Sequence, residues 1–253
     1  MAVDRLPSTV RLALPDASQS YEQDAEWCVV DDGSGWREIR FHDYDEIYTV
    51  PGLYEKLFYE VLQCQSPSVV CDLLVEHITA ERIDPAGVRV LDVGAGNGIV
   101  AEELGARGVA KVVGVDIIPE AAAAAERDRP GAYDDYRVVD LTTLDVDAAA
   151  EIAGGGFDVL TCVAALGFGD IPPEAFRVAF DMVRTDGFVA FTLRDDFLSE
   201  TDTSGFAGLV RSMMSSGELE QLGAVTYRHR LATTRRPVHY RAVVARKRRP
   251  RTA

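Results

Sequence analysis

An α/β protein with a mostly parallel sheet, a C-terminal antiparallel hairpin and an N-terminal cap is predicted by three observations. Short apolar runs alternate with helical patterns from residue 89 to about residue 214. The last two strand-like runs, 224–231 and 239–246, follow one another with no helix between them. The first 80 residues lack this alternation. Alternation of strands with helices implies a parallel sheet covered on both faces, and a direct strand-to-strand connection implies a hairpin.

Residues 1 to about 25 mix Pro, Ser, Asp and Gln with little periodicity, and the reading is an irregular arm. EWCVV (26–30), DDGSG (31–35) and WREIRF (36–41) then read as strand, turn and strand. A segment dense in aromatics and acids follows, from His42 to Tyr48. Apolar residues at 53, 54, 57, 58, 61 and 62 have helical spacing. Ser66 and Pro67 supply an N-cap and a first-turn proline for a second helix. Its stripe runs through Val69, Val70, Leu73, Leu74, His77 and Ile78, which makes His77 a core histidine rather than a catalytic one. Residues 1–80 are therefore expected to form the arm, hairpin and helical cap.

The stretch RVLDVGAGNGIVAEEL, Arg89 to Leu104, begins as an apolar run, breaks at Gly94, Gly96 and Gly98, and resumes as a helix. Glycines suit a tight turn that a ligand approaches closely, and the following helix offers free N–H groups. KVVGVD (111–116) is a second strand ending in an acid, with Asp116 20 residues after Gly96. That distance suits an acid bonding a ribose. YRVVDL (136–141) and FDVLTCVAAL (157–166) follow, then GFVAFTLR (187–194). Helices are expected at 119–127, 146–153, 172–184 and 204–214, two of them opened by proline.

LDVGAGNG, GVDI, VVDL and FDVLTCVAAL, in this order, resemble the class I S-adenosylmethionine-dependent methyltransferases over residues 88–247. The resemblance implies a Rossmann-like seven-stranded sheet with a core at 81–247, and the basic residues that follow the last strand, 248–253, read as a disordered tail. It also implies S-adenosylmethionine as cofactor and S-adenosylhomocysteine as product. A nicotinamide-dependent oxidoreductase is the rival, but its glycine fingerprint wants Gly or Ala where Ile99 stands. A protein of the same fold that binds the cofactor without methyl transfer is the other alternative.

Cofactor contacts carry over position by position. Asp92 would face the methionine ammonium, and Gly94, Ala95 and Gly96 would lie along the methionine moiety. Asp116 would bind both ribose hydroxyls and Ile117 would pack on the adenine. Asp140 would accept from the adenine amine, the Leu141 N–H would meet the adenine edge, and Val163 would offer main-chain contact. Tyr44 and Tyr48 stand where small-molecule members have an aromatic lid, and a tyrosine face suits a sulfonium. Each has a plainer reading alone: a turn, a helix cap, a core side chain. Together and in register they favour the cofactor.

The acceptor is less legible. Where nucleic-acid and some protein amino-methyltransferases carry (Asp/Asn)-Pro-Pro-(Tyr/Phe), this chain has Cys162-Val-Ala-Ala165. A net charge of -15 argues against a nucleic-acid backbone as partner. The expected acceptor is a small organic molecule, methylated at O, N or C, as in a tailoring step of specialised metabolism. Proton removal could fall to His42, Asp170, Asp195 or Asp196, or positioning alone could suffice. His229 shares a strand face with Val225, Tyr227 and Leu231 and reads as packed.

Cys28, Cys64, Cys71 and Cys162 form no CxxC pair, so no metal site is expected. No apolar run is long enough for a membrane span, and the first 15 residues lack a signal-peptide core, which makes the cytoplasm the expected compartment. The pattern leaves the oligomeric state open.

Overall fold

The computed structural model describes residues 10–154, 156–166, 170–194 and 205–250. Its centre is a seven-stranded sheet of β4 (Arg89–Val93), β5 (Lys111–Asp116), β6 (Asp135–Val138), β7 (Phe157–Cys162), β8 (Val183–Arg194), β9 (Leu219–Leu231) and β10 (Pro237–Lys247). The spatial order is β6-β5-β4-β7-β8-β10-β9. The first five strands pair in parallel, and β10 is antiparallel to both of its neighbours. The chain leaves β4 toward β5 and β6, then returns to pair β7 on the other side of β4. This reversal opens a crevice beyond the carboxyl ends of β4 and β7, where open α/β sheets bind ligands.

The period of two along each strand sorts side chains onto two faces. Leu91 and Val93, Leu160 and Cys162, Val189, Phe191 and Leu193 pack beneath α5 (Val146–Ala153), α6 (Pro173–Asp181) and α7 (Phe206–Ser215). Val90, Val159, Phe188, Ala190, Ala242 and Val244 point the other way, against α2 (Ser66–Ala80) and α3 (Ile99–Ala106). α4 (Pro119–Asp128) sets Ala121 and Ala124 against Tyr48 of α1 (Tyr44–Thr49). Alanine there lets the cap approach the core closely.

The cap holds its own apolar cluster, with Cys28, Val30, Ile39, Phe41, Ile47, Leu53, Leu57 and Leu62 at 1% exposure or less. The predicted hairpin is present as β2 (Trp27–Asp31) and β3 (Arg37–Arg40). The arm is not irregular throughout: β1 (Arg11–Ala13) adds a third strand, antiparallel to β2, with Arg11 paired to Asp31. Three residues are too few for an alternation to show.

The expected helix over 51–62 is a π-helix over Glu55–Val61, in which the Leu62 N–H donates to the Leu57 carbonyl at 2.9 Å. Ser66 does not cap α2. Its hydroxyl is 2.5 Å from the Tyr227 hydroxyl and 2.7 Å from His229 Nδ1, so the helix is tethered to β9 instead. Because Val70, Cys71, Leu74 and Ile78 are buried against the sheet, α2 belongs to the core, and the cap ends near residue 65 rather than 80. His77 is half-buried beside Gly223 of β9 rather than in the core.

The boundary of the tail also moves. Lys247 Nζ donates to the carbonyls of Phe180 and Val183, both at 2.8 Å, and Arg248 pairs with Asp186 and Glu220. The basic run is docked at least as far as Arg248 because carboxylates and helix-end carbonyls of the acidic core face it. Among the described residues no helix is long and apolar enough to cross a membrane, and none of their His, Cys, Asp and Glu side chains cluster as a metal site would.

Candidate cofactor and acceptor site

Three glycines with positive φ shape the turn after β4: +70° at Gly94, +54° at Gly96 and +87° at Gly98. Space demands two of them as well. A Cβ on Gly94 would lie 2.8 Å from the Ala165 Cβ, and one on Gly96 would lie 2.6 Å from the Tyr48 hydroxyl. The N–H groups of Gly94 and Ala95 both donate to the Val115 carbonyl, and the Tyr136 hydroxyl donates to the Gly96 carbonyl at 2.8 Å. Asp116 completes the frame. Its Oδ2 accepts from the Gly96 N–H at 2.9 Å and its Oδ1 from the Ile118 N–H at 3.0 Å. Burial raises its pKa, while these two N–H groups oppose the rise.

Beyond this turn lies a cavity of about 210 Å³ whose wall includes Gly94, Asp116, Ile117, Asp140, Leu141 and Val163. Ile117 is 57% exposed, an aliphatic side chain held out over the opening and available to cover a flat apolar group. Asp140 stands just past the end of β6, where its Oδ1 accepts from the Thr142 hydroxyl and N–H at 2.7 and 2.8 Å. Those two donors hold its carboxyl below the usual range, leaving it an ionised hydrogen-bond acceptor.

A smaller chamber of about 60 Å³ continues past Gly94, Ala95 and Gly96 beneath the cap. Tyr44 and Tyr48 line both spaces and belong to an aromatic ladder: Tyr44 to Tyr48 at 6.0 Å, Tyr48 to Tyr54 at 5.3 Å and Tyr54 to Phe58 at 4.8 Å between centroids. Arg127 of α4 donates to the Tyr48 carbonyl at 2.9 Å and holds this ladder over the turn.

Of the expected cofactor contacts, Tyr44, Tyr48, Gly94, Asp116, Ile117, Asp140, Leu141 and Val163 line the first cavity, and Ala95 and Gly96 line the second. Asp92 lies apart from both walls at 1% exposure. It accepts from the Thr161 hydroxyl at 2.7 Å and the Tyr133 hydroxyl at 2.8 Å. Its carboxylate is committed beneath the turn, so an ammonium contact is not what the geometry provides.

Two of the expected proton acceptors meet. His42 Nδ1 lies 3.1 and 3.3 Å from the carboxylate oxygens of Asp170, and both residues line both spaces. A carboxylate only accepts, so it is Nδ1 that donates in this contact. Asp195 and Asp196 lie outside the described residues, as do residues 167–169.

His229, read as merely packed, is buried but stands in the wall of the second chamber with Tyr59, Cys64, Arg230 and Tyr240. No motif marks these residues. They come from segments more than 160 residues apart, and only their shared closeness to the cap identifies them.

A family profile described as "Methyltransferase domain" matches residues 65–231, which is more than half of the chain. The chain belongs to that family. Its matched region starts where α2 joins the core, in agreement with the cap boundary seen in the structure. The ubiquinone biosynthesis O-methyltransferase of Pseudomonas fluorescens (strain SBW25) is 37% identical over 114 residues, 44% of this chain and 47% of that protein. That of Neisseria meningitidis serogroup C (strain 053442) is 33% identical over 109 residues, 43% and 45% of the two chains. The chain therefore spans less than half the length of these curated relatives.

Among solved structures, the N-methyltransferase NodS of Bradyrhizobium japonicum WM9 in complex with S-adenosylhomocysteine superposes with a TM-score of 0.53 at 11% identity, over 82% of this chain and 97% of that one. Magnesium protoporphyrin IX methyltransferase from Synechocystis PCC 6803 with bound S-adenosylmethionine gives 0.50 at 16% identity, over 71% and 79%. At these identities the likeness is one of fold. It agrees with the seven-stranded sheet and its terminal hairpin, and the methyltransferase family takes S-adenosylmethionine as its cofactor.

The residues of this methyltransferase domain suit that cofactor. Asp116 and Asp140 are acceptors spaced along one wall of the first cavity, and Ile117 offers an apolar face between them.

Proposed function

We propose that the protein transfers a methyl group from S-adenosylmethionine to a small organic molecule held in the second chamber. The observation that carries this reading is the shared wall between the two spaces, where His42, Asp170, Tyr44 and Tyr48 stand. In this reading Asp116 binds the ribose, Asp140 and the Leu141 N–H meet the adenine, and Ile117 covers its face. When bound, the cofactor supplies an electrophilic methyl carbon whose bond to sulfur breaks, with its electron pair kept by sulfur, as the acceptor bonds to that carbon. The tyrosine ladder presents π faces to the neighbourhood of a cationic sulfur and excludes water from it. His42 Nε2 takes the acceptor's proton, and Asp170 orients the ring and stabilises the imidazolium.

The relatives named for O-methylation support an oxygen as the atom methylated. Incubation with labelled S-adenosylmethionine and a panel of phenols, amines and carbon acids identifies a working acceptor by formation of S-adenosylhomocysteine. With that acceptor, His42→Ala is expected to lower kcat by about 10²-fold and Asp170→Asn by about tenfold, with cofactor affinity unchanged. Unchanged kcat in both variants would remove the base and leave positioning as the whole of the catalysis.

A further inference from the structure

The part of the second chamber's wall that the first cavity does not share is chemically distinct from the shared part. His229 is 5% exposed and stacks on Tyr240 with ring centroids 3.9 Å apart. Its Nδ1 is engaged by Ser66 Oγ at 2.7 Å, with Cys64 Sγ at 3.8 Å, and Nε2 has no hydrogen-bond partner among the described residues. Burial, reinforced by the neighbouring Arg230, pushes the pKa of this ring well below its usual value, so the ring is neutral. Arg230 offers no charge to a ligand, because it is spent on Glu26 at 2.6 Å in a pair that is 3% and 2% exposed. This part of the wall thus offers a neutral dipolar group among aromatic rings.

We propose that this part of the wall is the acceptor-recognition site, where His229 hydrogen-bonds through Nε2 to a hydroxyl on an uncharged aromatic ring, remote from the atom that is methylated. This rests on the methyltransferase reading above. Aromatic walls favour a flat ring, through stacked or edge contacts. A carboxylate or ammonium would be desolvated there without a countercharge, and that cost excludes both. A hydroxyl both donates and accepts, so it satisfies whichever tautomer the Ser66 and Tyr227 hydroxyls select. His229 is a positioning residue here, since it touches the substrate away from the reacting oxygen.

The test compares dihydroxybenzenes and dihydroxynaphthalenes with phenol and 1-naphthol in a labelled-methyl transfer assay, with titration of S-adenosylmethionine run alongside. The best dihydroxy compound is expected to exceed its monohydroxy counterpart by about tenfold in kcat/KM, the worth of one hydrogen bond in a dry site. His229→Phe, which keeps an aromatic ring at the Tyr240 stack, is expected to abolish that ratio, through a rise in KM for the dihydroxy compound rather than a fall in its kcat. Equal rates for the two series in the unaltered protein, a measurement that needs no variant to fold, would overturn the proposal. So would methylation of aliphatic amines but of no phenol. If S-adenosylmethionine itself failed to bind, the methyltransferase reading would fall, and the recognition site with it.

Discussion

Asp92 carries two hydroxyl donors and is 1% exposed, so its charge is paid for only by Thr161 and Tyr133. Burial pushes its pKa from 3.8 to about 7, against the pull of those two donors, and the charge of Asp116 adds to the rise. In this case the folded state holds a proton that the unfolded chain releases, between about pH 4 and pH 7. Stability from this group is therefore full below that window, falls as pH rises through it and levels off above about 7. Asp92→Asn keeps a side chain that the two hydroxyls can bond and removes the titration. Its stability relative to the unaltered protein should rise by about 2 kcal/mol between pH 5 and pH 8, read by urea unfolding at each pH. A difference that does not vary with pH would show Asp92 ionised throughout.

At the scale of elements, the π-helix joins the cap to the glycine turn through one buried cation. Arg129, 3% exposed, donates to Glu55 of the π-helix at 2.8 Å, to Glu102 of α3 at 2.7 Å and to the Asn97 carbonyl at 3.1 Å. Glu55 also accepts from the Asn97 side chain at 2.7 Å. Removing the arginine alone leaves the Glu55 carboxylate without its countercharge, so Arg129→Met should cost about 3 kcal/mol by urea unfolding. Glu55→Gln added to it should recover half or more, because no unpaired charge then stays behind. Equal losses in the single and double variants would mean that Arg129 acts by packing alone. The helix signal at 51–62 was legible as apolar spacing, but periodicity cannot separate a π-helix from an α-helix over seven residues. Within this stretch Tyr54 sits against Phe58 and Tyr59, with ring centroids 4.8 and 6.2 Å apart.

Across the whole molecule, what was legible lay within single stretches of the chain. β4, β5 and the helix at 146–153 were readable to the residue, because strands covered on both faces are unbroken apolar runs and that helix is bounded by Asp145 and Gly154, which form its caps. The wall of the first cavity was readable because the residues that line it follow strand ends in a fixed order. The second chamber was not, since Tyr59, His229 and Tyr240 become neighbours only when the cap folds onto the terminal hairpin. The same folding placed His42 against Asp170, 128 positions away, where sequence offered them as separate candidates. The proposed methyl transfer depends on the crevice at β4 and β7 holding S-adenosylmethionine through Asp116. Isothermal titration of the protein and of Asp116→Ala with S-adenosylmethionine, S-adenosylhomocysteine and NADH tests this most directly. Saturable binding of both sulfur compounds, weakened about 10- to 100-fold by the substitution and absent for NADH, is the expected result. Binding of neither sulfur compound, or binding indifferent to Asp116, would contradict it.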